Sequence, residues 1–428
     1  MSEEALKCYL VRLPEADFLT RFHGFEERLL QSNVSETLTE VTRSGDAVLR
    51  LIESSSVSYD GLIYRFALRK GMRFHDGAEL QSDDVLACFT GVLKDKRSLS
   101  QLHHVVAKDP SGVAGFAIKR ISRHRFEIRL QCRTADFLAR LSLPELAIRQ
   151  RSSGSSCGAW KIQEQSAESI TLTPFADHFE HRSAHYGSVE IAVIPPEYNH
   201  HLTQDSYLFL YPGMMYKSPG KENMTDIFCR PLHNCLSYYI EFVSSPRHLS
   251  TLKTVLARAA LSAFQKDHAY LRYAVNGFFP EHHLLHTSKD IRQKLELDQP
   301  LKMSLALPPE IPEAACSGLV KELRQLNVEL TIVEDSEGAD AVVKSLYSGH
   351  LYDIYTPLSQ IVREKKQLKY LFDPDSVHFL PQSCGQTMSQ FAKSDRIVPL
   401  FLTPYVARSN RVLVPEPGNL VDFHSVQA

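Results

Sequence analysis

Four groups of residues in this 428-residue chain have side-chain types and spacings suited to chemistry. His75-Asp76 could be a metal pair or a catalytic dyad. Neighbours on a tight turn do not easily converge on one ion, however, and no third ligand or nucleophile lies nearby in sequence. Gly154-Ser155-Ser156-Cys157-Gly158 matches G-x-S-x-G, the nucleophile elbow of α/β-hydrolases, which needs a strand before it and a helix after it. Ala159 to Ile162 and Ile170 to Leu172 read instead as two strands of a hairpin, so the context fails. His178, His181 and His185 are spaced to share a helix face and bind metal. Pro174 argues for a loop there, and no Cys or carboxylate motif accompanies them, so they read as solvated surface histidines. Cys229, His233 and Cys235 match no zinc spacing. The chain therefore reads as a non-enzyme with no cofactor and no metal site.

The elements around these residues are clearer than their chemistry. Tyr64, Phe66 and Leu68 alternate with Arg65 and Arg69, a half-buried strand. Lys70-Gly71 turns the chain into a second short strand, Met72 to Phe74, closed by His75-Asp76-Gly77 with Gly77 free to take positive φ. Ser82 stands where an N-cap belongs and Asp83 and Asp84 fill the first turn, where the helix dipole favours acids. Val85, Leu86, Phe89, Val92 and Leu93 continue at helical spacing.

Taken in order, Leu6 to Val11 is a first strand and Phe25 to Leu38 one helix. Ile52 to Tyr59 is a strand, and Asp60-Gly61 a hairpin signal. Asp109-Pro110-Ser111-Gly112 reads as a loop, Arg125 to Leu130 as a half-exposed strand, Asp136 to Leu143 as a short helix. Tyr207 to Tyr216 and Tyr238 to Val243 are strands, and Ser244-Ser245-Pro246 marks a break. Leu249, Leu252, Val255, Leu256, Ala259 and Ala263 make an amphipathic helix. Met303, Leu305 and Leu307, then the Cys316 to Leu326 stripe, then Val328, Leu330 and Ile332 spell strand, helix, strand. That is a βαβ crossover with parallel strands. Leu351 to Tyr355 is a further short strand and Ile397 to Val406 a closing one.

Composition sets the remaining bounds. The chain is 43% hydrophobic and 23% charged, as an ordinary globular protein is. A net charge of −2 gives no global basic field for nucleic acid or an anionic membrane. No run of eighteen apolar residues argues for a membrane span. The N-terminus MSEEALKCYLV has no apolar signal region, so a cytoplasmic location is expected, or a periplasmic one if the chain is truncated. Eight cysteines without a CxxC pair suit free thiols in a reducing compartment.

Tyr-x-Phe-x-Leu-Arg-x-Gly-x-x-Phe-His-Asp-Gly, followed by Asp-Asp-Val opening a helix, closely resembles the signature of bacterial solute-binding proteins of family 5, the oligopeptide and dipeptide class. About ten residue types are fixed over roughly twenty positions, far more than in a lone glycine motif. Gly158 and Trp160 fit the last glycine and aromatic of the family's Gly-Thr-Gly-Pro-Tyr, with departures at Cys157 and Ala159. Within the family, the stretch from Gly158 to Pro195 and the ending Val398-Pro399-Leu400 through Asp422-Phe423 look most like the solute-binding-like domain of SgrR-type transcriptional regulators.

The resemblance implies an α/β fold of two lobes, periplasmic-binding-protein-like (class II, Venus flytrap), with an extra subdomain in the first lobe. The expected division is 1–243 for lobe I, with the insertion at about 50–170, then 244–396 for lobe II and 397–428 returning to lobe I. It implies a module that closes over a small solute: a sugar, a sugar phosphate or a peptide-like molecule. The expected role is a cytosolic ligand-sensing domain of an SgrR-type regulator, the alternative a binding component of an ABC transporter. DNA would be reached only through a helix-turn-helix domain, for which this chain shows no recognition helix. By position in the resemblance, Arg12, Trp160, Tyr352, Asp353 and Tyr355 would contact the ligand. Peptide-binding members carry an Asp-Tyr-x-Asp-Pro-like segment whose carboxylate receives the peptide amine. Leu351 to Pro357 stands at that place here, degraded to the single carboxylate Asp353.

Overall fold

The structure is a computed structural model. It describes residues 4–15, 24–42, 46–94, 102–180, 184–194, 206–212, 228–243, 252, 255, 256, 259, 273–274, 300–307, 311, 313–333, 336–348, 394, 396–411, 413 and 421–427. The described chain opens with β1 (Ala5–Leu10), α1 (Phe25–Val34), β2 (Thr39–Val41), β3 (Ala47–Leu49), β4 (Ile52–Val57) and β5 (Ile63–Leu68). Then come α2 (Ser82–Lys94), α3 (Leu102–Val105), β6 (Lys108–Val113), β7 (Ile118–Ser122), β8 (Arg125–Arg129) and α4 (Phe137–Arg140). β9 (Trp160–Gln165), β10 (Ser169–Pro174), β11 (Ser188–Val193) and β12 (Ser206–Pro212) follow. The rest comprises β13 (Phe228–Phe242), β14 (Tyr273–Ala274), β15 (Leu301–Ala306), α5 (Glu313–Gln325), β16 (Val328–Val333), β17 (Ala341–Ser348) and β18 (Ile397–Ser409).

Two compact units result: Met1–Phe209 with Asp226–Phe228 and Ser409–Ala428, and Leu210–Thr225 with Cys229–Arg408. The sequence reading put the first crossing at Val243 and the return at Ile397. The two units divide within the strands β12 and β18.

In the first unit β1 pairs in parallel with β11, which continues antiparallel through β10 to β9. Leu6, Cys8 and Leu10 of β1 are wholly buried, the alternation a strand with one core face requires. A separate four-stranded sheet runs β4-β5-β8-β7. Its inner face carries Phe66, Leu68, Phe126 and Ile128 into a core that α2 closes with Val85, Phe89 and Leu93. That core extends from Leu38 to Cys157.

Three local details differ from expectation. Ser82 does not cap α2: its hydroxyl donates to Ser122 O of β7 at 2.7 Å. Asp84 does the capping, accepting from Gln81 N and Arg151 N, each at 2.9 Å. Met72 to Phe74 forms no strand, only an isolated bridge between Arg73 and Glu79, with Gly77 at φ 86° in the turn. Asp109-Pro110-Ser111-Gly112 is not a loop but part of β6. There Asp109 takes the Ser111 hydroxyl at 2.7 Å and Lys119 at 2.9 Å, so the turn-forming side chain is satisfied within a strand.

In the second unit the βαβ crossover is present: β15 and β16 are parallel and joined by α5, with Asn327 at φ 66° ending the helix. β17 pairs in parallel with β15 and antiparallel with β13. Leu252, Val255, Leu256 and Ala259 are helical and buried, the stripe their spacing predicts. The strand expected at Leu351 to Tyr355 lies outside the described residues.

Candidate functional site

Open α/β sheets bind ligands beyond the carboxyl ends of their strands, and Arg12 stands just past the carboxyl end of β1. Its guanidinium is held from the first turn of α1. Nη1 and Nη2 donate to the two oxygens of Glu27 at 2.5 and 2.7 Å, and Nη2 lies 3.3 Å from Glu26 Oε2. Glu15 N also donates to Glu27 at 3.2 Å. Burial pushes the Glu27 carboxyl up, but the Arg12 hydrogen bonds and charge outweigh it and hold the group below the usual carboxylate range. The arginine side chain stays 42% exposed while Glu27 is 0% exposed. The result is a rigid, outward-facing cation fixed by buried acids.

Trp160 is placed otherwise. It is fully buried at the start of β9, with Phe423 edge-on at 6.1 Å and the His424 ring at 4.9 Å between centroids. It belongs to the core of the first unit rather than to an exposed wall, and its indole N–H has no partner among the described residues. Tyr352, Asp353 and Tyr355 lie outside the described residues. Of the five residues singled out in sequence, Arg12 alone is both described and solvent-facing.

The signature turn has a structural task. His75 Nε2 meets Gly158 O at 2.9 Å, His75 N donates to Ser156 O at 2.8 Å, and the ring stands edge-on to Phe175. Burial lowers the His75 pKa, which keeps the ring neutral near pH 7. Asp76 accepts from Ser153 Oγ at 2.5 Å and Ala78 N at 3.0 Å. The turn thus staples the inserted sheet to the loop at 153–158, and a β9–β10 hairpin follows that loop, not the helix a nucleophile elbow needs.

A cluster that sequence reasoning missed lies nearby. Arg50 donates to Glu36 at 3.0 and 3.3 Å and to Glu180 at 2.6 Å, with its guanidinium 5.2 Å from the Phe179 ring. His178 Nε2 meets Glu36 Oε1 at 3.1 Å. Expected as a solvated surface residue, His178 is only 5% exposed, because it fills the space beside this ion pair. Burial raises the Glu36 carboxyl, while His178 and Arg50 bring it down overall. The only sequence signal was a Phe-Ala-Asp-His-Phe-Glu stretch, with no periodicity to say that His178 and Glu180 turn inward.

The two units, with a parallel β1–β11 pair, a βαβ crossover and a separate antiparallel sheet, have the fold of the two-lobed periplasmic binding proteins. Residues 46–202 match the family described as bacterial extracellular solute-binding proteins, family 5, middle region. The chain is 31% identical over 150 residues to di/tripeptide-binding protein 2 of Pseudomonas aeruginosa (strain UCBPP-PA14), a match covering 31% of this chain and 27% of that protein's length. The fold resembles DppA of Helicobacter pylori in complex with the peptide STSA (TM-score 0.69, 14% identity, 99% of this chain and 97% of that one). It also resembles NikA of Brucella suis in complex with Fe(III)-EDTA (TM-score 0.68, 14% identity, 99% of each). A dipeptide-binding protein of Pseudoalteromonas sp. SM9913 in complex with Met-Leu gives 0.66 at 13% identity, over 99% of this chain and all of that one.

Proposed function

We propose that this chain is a solute-binding module whose ligand is a small peptide or peptide-like solute. The match of residues 46–202 to family 5 carries the reading, and the similarity to a di/tripeptide-binding protein supports the ligand class. Arg12 is proposed as a contact for an anionic group of the ligand, such as a terminal carboxylate. Its guanidinium is held rigid before any ligand arrives, so little side-chain entropy is lost on binding. The relatives include a transporter-associated binding protein, which favours a component of an ABC importer. A second reading, a sensing domain in a reducing compartment, as in SgrR-type regulators, rests on a different observation. Cys8, Cys88, Cys132 and Cys157 are free thiols, and Cys132 is exposed.

The test is thermal denaturation of the pure protein against a di- and tripeptide pool, sugars and sugar phosphates. A ligand at about 100 times its Kd adds about 2.7 kcal/mol, a shift of several degrees. A shift with peptides supports the reading, and Arg12→Ala should remove it. A shift with sugars or sugar phosphates alone would overturn the peptide assignment and favour the sensing reading.

A further inference from the structure

The inserted four-stranded sheet has one face in the core and the other in solvent, and the solvent face carries an ordered set of charges. The cross-strand register places Arg65 of β5 and Lys119 of β7 on either side of Glu127 of β8. Arg125 and Arg129 lie two residues before and after Glu127 on the same strand, so all five side chains share that face. Phe126 and Ile128 between them are wholly buried, while Arg65, Lys119, Arg125 and Arg129 are exposed. Beside Arg65 the edge strand presents only the small Ser56. Arg65 pairs with Glu127 at 2.8 Å and Lys119 with Asp109 at 2.9 Å, as exposed pairs that exchange at little cost. Neither Arg125 nor Arg129 forms an ion pair among the described residues.

We propose that this face docks an extended acidic segment of a partner protein. Four residues along a strand span about 13 Å, and strands two apart lie about 10 Å from each other, so four cations surround Glu127, with the Asp109 carboxylate beside Lys119 and that of Asp60 near enough to Arg129 to feel its charge. A continuous phosphate backbone laid along β8 would run over the Glu127 carboxylate and be repelled there. An extended polypeptide points alternate side chains to one face at the same repeat as β8. A sequence of the form acid-x-base-x-acid therefore sets its acids on Arg125 and Arg129 and its base on Glu127.

The experiment is fluorescence anisotropy with a labelled peptide centred on Glu-Ser-Lys-Ser-Glu. A charge-inverted Lys-Ser-Glu-Ser-Lys peptide and a single-stranded oligothymidine of similar length serve as competing probes. The expected result is saturable binding of the first peptide that weakens as salt rises from about 20 to about 150 mM. Arg125→Glu with Arg129→Glu should weaken it by about tenfold or more while the melting temperature is kept. If charge reversal lowers the melt, Arg125→Gln with Arg129→Gln replaces it with the same expectation. No saturation, equal binding of the inverted peptide, an unaffected double variant, or tighter binding of the oligonucleotide would each overturn the proposal.

Discussion

Gly158→Ala isolates a steric constraint that no backbone preference can imitate. A Cβ at residue 158 would lie 2.2 Å from Val34 C, 2.3 Å from Ser35 N and 2.7 Å from Asn33 O. Ordinary carbon contacts need about 3.5 Å, so the end of α1 or the start of β9 must move by about an ångström. All three obstructing atoms are backbone and cannot rotate aside. The movement also loosens two hydrogen bonds, Gly158 N to Val34 O at 3.0 Å and His75 Nε2 with Gly158 O at 2.9 Å. Overpacking costs about 1–3 kcal/mol, and each weakened bond adds up to about 1 kcal/mol. The expected loss is therefore about 3 kcal/mol. At about 2–4 °C per kcal/mol for a unit of this size, the melt should fall by roughly 6–12 °C. The assay is thermal unfolding followed by the emission of Trp160, the only tryptophan in the chain and two residues from the substitution. A fall of less than about 1 °C, or one matched by Gly91→Ala, where a Cβ meets open space, would refute the packing argument.

Two further perturbations test the buried ion cluster. Arg50→Met should destabilise by about 3–5 kcal/mol in urea unfolding, because it strands the Glu36 carboxylate, whose side chain is 10% exposed. Arg65→Met, at an exposed pair, should cost under about 1 kcal/mol. Glu27 and Glu36 both titrate below their ordinary range in the folded protein, so their contribution is present above about pH 4.5. It should be lost as pH falls through their folded values, and Glu27→Gln should flatten that acid limb of stability against pH, while an unchanged limb would remove Glu27 from it.

The regular elements were legible because their patterns are redundant. The Leu301 to Val333 crossover shows both periodicities with a terminator between them, and the alternation of Tyr64, Phe66 and Leu68 marks β5. What misled was side-chain chemistry with two valid uses. Ser82 is an excellent cap, yet a carbonyl from β7 competes for its hydroxyl and Asp84 replaces it. Asp109-Pro110-Ser111-Gly112 is good turn chemistry overruled by pairing with the chain at Phe116. At the site, Arg12 could be placed by its position after the first strand. Its lock to Glu27 could not, because fifteen residues separate them with no repeat to link the two. Trp160 carried an aromatic motif position but nothing to say that Phe423 would cover it.

Asn33 joins parts of the chain that are far apart in time as well as in sequence. Its amide donates to Leu29 O and Val421 O at 2.9 Å, and its carbonyl accepts from Phe423 N at 3.0 Å, closing a separation of 388 residues. The second unit, by contrast, is interrupted only by Asp226–Phe228 and otherwise lies in sequence between the two long parts of the first. At a synthesis rate of about 5–20 residues per second, the C-terminal piece arrives roughly 10–40 s after Phe209. During that interval the inner unit can be complete while its host waits with Trp160 uncovered. The host is begun first and finished last, so nascent chains are most vulnerable to misassembly while their N-terminal half lacks its final strand of contacts.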